Sequence, residues 1–186
     1  MRYLAGHKRL AWTFVKQEPQ RCIVADVDSN YAGCSVTRKS TSGITIRLGT
    51  HHLRFYALTQ SILALAVVES EFYAMTKGAA IILGFRSMGQ GWGLTFKPQI
   101  RTDSSRAKGI VARRGAGKLR HIETPFLWLQ QVATRRQLEI LKVAGVSTEA
   151  DLGTKILDAP AIRRTLGQLH LRFRVGEHAL ALKAAT

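Results

Sequence analysis

The hydrophobic pattern of this chain first changes period near Glu69, and that change orders its parts. Upstream, "RCIVADVD" at 21–28 reads as a buried strand that turns polar at its carboxyl end. "RKSTSG" at 38–43 is a hydroxyl-rich turn closed by glycine, and "ITIRL" and "LRFYAL" follow as two alternating strands. These three predict an antiparallel meander. Downstream, Phe72, Tyr73, Thr76, Ala79, Ala80 and Leu83 recur at three- and four-residue spacing, which predicts a helix from Glu69 with Gly89, Gly91 and Gly93 beyond its end. After Pro98, "QIRTD" is a short strand and "SSRAKGIVA" a helix capped at Ser104 or Ser105. "ETPFLWLQQVATRR" offers Thr124 as N-cap and Pro125 at the first helical position. "LEILKVAGV" is a last strand, "TEADLGTKIL" a short helix, and "DAPAIRRTLGQL" another capped by Asp158. Three antiparallel strands followed by crossovers predict an α/β fold: a mixed five-stranded sheet with helices on both faces.

In such a sheet, reactive groups collect at the carboxyl ends of parallel strands. The chain has 12 acidic residues, so where they fall carries information. Asp28 ends the first strand, Glu69 opens the long helix, Asp103 ends the fourth strand, and Asp151 starts a late helix. Four carboxylates from four elements, brought to one end of the sheet, make a site for a hard cation such as magnesium. Two such ions about 3.5–4 Å apart activate water and stabilise a leaving oxygen in phosphodiester cleavage. Taken singly, each acid also has an ordinary structural reading, as a turn cap, a first-turn acid or a surface charge. A calcium loop over Asp26, Asp28 and Asn30 is excluded, because Tyr31 stands where the loop needs glycine and Thr37 where it needs glutamate. Asp26 and Asp28 share one strand face roughly 6.5–7 Å apart, so both cannot serve one metal pair equally. Asp26 is expected one pleat deeper, where replacement by Asn is tolerated or stabilising.

The 28 Lys and Arg residues give a net charge of +16, which suits a polyanionic partner, nucleic acid before membrane. Arg38 and Lys39 with Ser40, Thr41 and Ser42 are candidate phosphate contacts. Arg113, Arg114, Lys118 and Arg120 form a second basic cluster in "ARRGAGKL" and its continuation, which lacks the glycine and hydroxyl of a phosphate-binding loop. Cys22 and Cys34 fit neither a metal set nor a redox pair, and are expected to be reduced thiols. No apolar run reaches the ~18–20 residues of a spanning helix, and no small-molecule cofactor motif is present. A soluble, cytoplasmic protein is expected.

At this point the residues carry a resemblance. "DSNYAGCSVTRKSTSG", "ALAVVESEFYAM", "RTDSSRAKGI", "RHIE" and "STEADLGTKIL" resemble the successive motifs of the ribonuclease H domain in Pol polyproteins of copia-type retrotransposons. "MRYLAGHKRLAWTF" is similar to the connection that follows the reverse transcriptase there, and "RRTLGQL" to the region's close. The resemblance implies a connection segment at 1–20, a ribonuclease H-like domain at 21–170 and a basic tail at 171–186. It implies cleavage of the RNA strand of an RNA–DNA hybrid by two Mg2+ ions, with Mn2+ able to substitute, leaving a 3′ hydroxyl and a 5′ phosphate. Carried over motif by motif, the catalytic and metal-binding acids are Asp28, Glu69, Asp103 and Asp151. His121 and Glu123 are accessory candidates, and Ser104 and Arg120 join the nucleic-acid contacts. The implied partners are the hybrid and the reverse transcriptase of the same polyprotein, and the implied setting is cytoplasm, virus-like particle or nucleus. Asn30 and Tyr31 depart from the family's usual Asp and Trp. Two other readings remain: a noncatalytic nucleic-acid-binding remnant, and an integrase-like nuclease of the same fold.

Overall fold

Strand β2 (Cys22–Asn30) sits at the centre of the main sheet and fixes the geometry of everything else. The computed structural model describes residues 10–117, 121–145 and 149–173. In the five-stranded sheet the order is β4-β3-β2-β5-β6, with β3 (Thr41–Leu48), β4 (His51–Thr59), β5 (Lys97–Thr102) and β6 (Glu139–Lys142). The β2–β3 and β3–β4 pairings are antiparallel, while β2–β5 and β5–β6 are parallel. This is the mixed sheet the sequence predicts. The period-two pattern of β2 separates its faces: Ile23, Ala25 and Val27 enter the apolar core, while Asp26 and Asp28 point the other way.

The core face is covered by α1 (Val67–Gly91), with α2 (Ser105–Ala112) and α3 (Trp128–Thr134) beside it. Phe72, Met75, Ala79 and Ile82 of α1 are fully buried against Ile23, Ile44, Ile46 and Ile100 of the sheet. Gly78 lets the helix approach, since a Cβ there would lie 2.6 Å from Val27 Cγ1. The opposite face carries a 3-10 turn at Glu149–Gly153 and then α4 (Ala159–Gln168). Gly43, the cross-strand partner of Asp28, makes room for that turn, because a Cβ at Gly43 would stand 2.5 Å from the Ala150 carbonyl oxygen.

Several boundaries differ from the sequence expectation. The long helix begins at Val67 and runs through Gly89 to Gly91, because burial of its apolar side offsets glycine's weak helix propensity. Residues 149–153 form a 3-10 turn rather than a helix, and Thr124–Leu127 is likewise a 3-10 turn, with Glu123 at its cap position. The last sheet strand is shorter than drawn. Capping at Ser104 and Asp158 is as expected: each side chain accepts from the backbone N–H three residues on, at 3.2 and 2.8 Å.

The segments at either end also meet. Strand β1 (Leu10–Trp12) pairs antiparallel with β7 (Leu171–Phe173), so the tail drawn from residue 171 opens with a strand that has a partner. Partners more than 150 positions apart leave no local signature. Among the described residues, no helix is long and apolar enough to cross a membrane, and both cysteines are free.

Candidate active site

Parallel pairing of β2 with β5 puts Asp26 opposite Arg101, and the same register carried on brings Asp28 and Asp103 to neighbouring strand ends. The third carboxylate arrives from α1. Glu71 lies two turns before Gly78 on the same side of the helix, the side that packs on β2. Asp28, Glu71 and Asp103 each offer an oxygen within 4.8 Å of the others. Crowding of this kind raises carboxyl pKa values. Burial, then the charges of Asp28 and Asp103, push Glu71 up to about 8, with a Ser29 hydrogen bond and Lys155 opposing in part. Asp28 is likewise raised, by burial first and by Asp151 and Asp103, against the opposing effect of Thr154 and Lys155.

The cluster fits a divalent cation on the chemistry of its donors. Glu71 is 7% exposed, and its Oε2 is buried with no hydrogen-bond partner. An orphaned acceptor of this kind costs free energy that oxygen coordination to a hard cation would recover. Asp28 is better provided. The Thr154 hydroxyl donates to Asp28 Oδ2, and Lys155 Nζ stands 3.4 Å from Oδ1.

Two of the four acids named from the sequence therefore stand together, and two stand apart. Glu69 is not in the cluster, because at 100° per residue it faces away from Glu71 on the same helix. It accepts from the Tyr73 hydroxyl, from the Leu65 backbone N–H at 2.9 Å, and lies 2.9 Å from His121 Nε2. Burial would raise its pKa, but these hydrogen bonds outweigh burial and lower it. Asp151 lies on the 3-10 turn and holds Lys155 Nζ at 2.8 Å, which tethers it to Asp28 only through that ammonium. Glu71 was missed in the sequence because "ESE" offers two glutamates, and motif alignment alone does not set the helix phase. The usable signal was Gly78, which marks the sheet-facing side seven residues on.

Asp26 corrects another expectation. Arg101 grips it with two hydrogen bonds, Nε to Oδ1 at 2.6 Å and Nη2 to Oδ2 at 2.8 Å, and Arg47 Nη2 lies 3.4 Å from Oδ2. Arg47 also approaches Glu149 at 3.2 Å. Burial pushes Glu149 up to about 7 despite Arg47. Asp26 is thus a paired structural charge, and replacing it would strand arginines rather than relieve strain.

The candidate nucleic-acid contacts divide in the same manner. Ser40 and Ser42 are buried; Ser40 Oγ accepts from the Ala32 N–H at 3.0 Å, and Ser42 Oγ from Gln60 Nε2 at 3.0 Å. They brace the turn instead of facing a ligand. Arg38 is exposed at a left-handed backbone position (φ 57), Thr41 is partly exposed, and Lys39 Nζ donates to the Ser61 carbonyl at 2.8 Å. Ser104 spends its oxygen on the α2 cap. His121 and Glu123 are exposed, and Glu123 makes no side-chain cap contact. Arg120, like Lys118, lies outside the described residues.

Comparison with known proteins agrees with this fold. No protein-family model matches the chain. It is 22% identical over 159 residues to the "Retrovirus-related Pol polyprotein from transposon TNT 1-94" of Nicotiana tabacum, covering 84% of this chain and 12% of that polyprotein. The solved structure of LC11-RNase H1, isolated from compost, superposes with a TM-score of 0.54 at 13% identity, over 79% of this chain and 99% of that one. The same enzyme in complex with RNA/DNA hybrid aligns at a TM-score of 0.44 and 13% identity, over 68% of this chain and 88% of that one. The fold is that of ribonuclease H, and the resemblance to the ribonuclease H domain of a retrotransposon Pol polyprotein holds.

Proposed function

We propose that this ribonuclease H-fold chain is a divalent-metal-dependent endonuclease that cleaves the RNA strand of RNA–DNA hybrids, as one part of a copia-type Pol polyprotein. The observation that carries the reading is the convergence of Asp28, Glu71 and Asp103, with an unpartnered buried oxygen on Glu71, at the carboxyl ends of parallel strands. Asp28, Glu71 and Asp103 would hold Mg2+, or Mn2+ in its place, with Asp151 completing the set for a second ion. Bound there, the metal would supply an activated water and charge stabilisation at the scissile phosphate.

The chain's own residues supply position and charge. Thr154 orients Asp28 by donating to Oδ2, and the Gly43 contact fixes the turn that presents Thr154. Glu69 pairs with His121 at 2.9 Å, and the half-exposed ring leaves His121 an accessory candidate. Arg38, Lys39 and Thr41 would meet backbone phosphates, while the net charge of +16 draws the polyanion in without reading its sequence. The reverse transcriptase of the same polyprotein is the partner that would deliver the hybrid. Products with a 3′ hydroxyl and a 5′ phosphate are expected.

The test is a labelled RNA–DNA hybrid incubated with the protein and Mg2+ or Mn2+, with Asp103→Asn as control. Metal-dependent cleavage absent from the control is the expected result. Binding without cleavage would establish the noncatalytic remnant instead, and preferential cleavage of duplex DNA would favour the integrase-like alternative.

A further inference from the structure

The carboxylate cluster has a cation of its own, and we propose that Lys155 competes with the divalent ion: its ammonium is a built-in counter-ion that must release Asp28 before a metal binds there. This rests on the reading of Asp28, Glu71 and Asp103 as the metal site. Lys155 Nζ is 3.4 Å from Asp28 Oδ1 and 2.8 Å from Asp151 Oδ1, while the neighbouring Thr154 takes Asp28 Oδ2. Consecutive residues of one turn thus engage both oxygens of the most buried acid in the cluster, which is 2% exposed. Among the described residues, Lys155 is the cation that forms an ion pair with a member of the cluster. Arg47 and Arg101 are committed to Asp26 and Glu149.

The geometry makes Lys155 displaceable rather than fixed. Its side chain is 43% exposed, and its contact with Asp151 is the shorter one, an i,i+4 pair at the rim. A flexible four-carbon stem with a compact charge can therefore leave Asp28 for a first ion while still held by Asp151, and gives up Asp151 in turn when a second ion takes that carboxylate. Arg101 on Asp26 has no such freedom, being bidentate on a carboxylate with no exposure. With Lys155 in place, the metal-free cluster is partly neutralised. The consequence is a threshold: divalent ions bind more weakly than three crowded carboxylates alone would allow, and Lys155 swings toward solvent as they bind.

The experiment measures Mn2+ binding by electron paramagnetic resonance, and Mg2+ binding by calorimetry, on the wild-type chain, Lys155→Met and Lys155→Arg. A unit charge about 5 Å from a dication is worth on the order of tenfold in affinity even at water's dielectric constant. Lys155→Met is therefore expected to bind on the order of tenfold more tightly, and Lys155→Arg to stay near wild type. Thermal melts without metal should show Lys155→Met less stable than wild type, with its midpoint rising more steeply as Mg2+ is added. If Lys155→Met is unfolded without metal, the Mg2+ concentration that restores its circular dichroism is read instead. The midpoint of that recovery is divided by one plus the unfolding constant of the metal-free variant, and the resulting constant supports the proposal if it lies below the wild-type Kd and overturns it if it does not. Equal or weaker affinity in Lys155→Met would also overturn it, while leaving the metal site itself intact. Absence of binding by wild type and both variants would overturn the metal-site reading and this inference together.

Discussion

Asp26 and Asp28 lie two residues apart on one strand, share a face and are both buried, yet their surroundings are opposite. Asp26 is neutralised by Arg101 and Arg47. Asp28 is crowded by Glu71 and Asp103 and is only lightly offset by Lys155 and Thr154. The same contrast recurs on α1, where Glu69 is saturated by Tyr73, Leu65 and His121 while Glu71 keeps an unpartnered oxygen. Burial therefore does not distinguish a structural carboxylate from a reactive one. What distinguishes them is whether the protein supplies the compensating charge or leaves it to a ligand.

The sharpest way to break this contrast is to neutralise each acid of the strand pair. Asp28→Asn is expected to fold and to lose hybrid cleavage down to background, because it removes a ligand with little change of volume. Asp26→Asn is expected to destabilise the domain by roughly 3–5 kcal/mol, the usual cost of breaking a buried ion pair, while folded molecules keep cleaving. Denaturant melts and single-turnover cleavage on both variants measure the two effects. A stable, inactive Asp26→Asn would reverse the assignment.

A smaller effect is expected at Gly43. Its methyl-sized gap admits the turn bearing Thr154, so Gly43→Ala should cost about 1–3 kcal/mol through overpacking. Because that turn orients Asp28, metal affinity should weaken with stability. A loss of stability at unchanged affinity would uncouple the turn from the site.

The last effect is one of pH, read across a titration rather than in a variant. Burial pushes Glu71 up to about 8 in the fold against an ordinary value of 4.5, so the metal-free fold binds more protons than the unfolded chain between those values. Glu149, raised to about 7, acts in the same direction. Metal-free stability should therefore fall as pH rises through this window, seen as a declining thermal midpoint. Saturating Mg2+ should flatten the decline. At pH 7, metal binding should also release protons, detectable by calorimetry in buffers of different ionisation enthalpy.

Much of this was legible in the sequence. The first change of hydrophobic period marked off the strand meander and the helix that follows, and the register of β2 with β5 brings Asp28 and Asp103 to one sheet end. What was not legible depends on helix phase and on distant partners. "ESE" does not say which glutamate meets the sheet until Gly78 is seen against Val27. Asp26 could not be matched with Arg101 without the parallel register, nor β1 with β7 without the closed fold. Ser40 and Ser42 looked like ligand contacts because hydroxyl-rich turns serve equally to brace their own backbone.

Glu71, not Glu69, is the glutamate proposed to join Asp28 and Asp103 in holding the metal. Mn2+ binding to Glu71→Gln and Glu69→Gln, measured side by side by electron paramagnetic resonance, tests it most directly. Glu71→Gln is expected to lose affinity by about a hundredfold or more, beyond the usual effect of supporting residues, while Glu69→Gln stays within about tenfold of wild type. Retained binding in Glu71→Gln with binding lost in Glu69→Gln would contradict it.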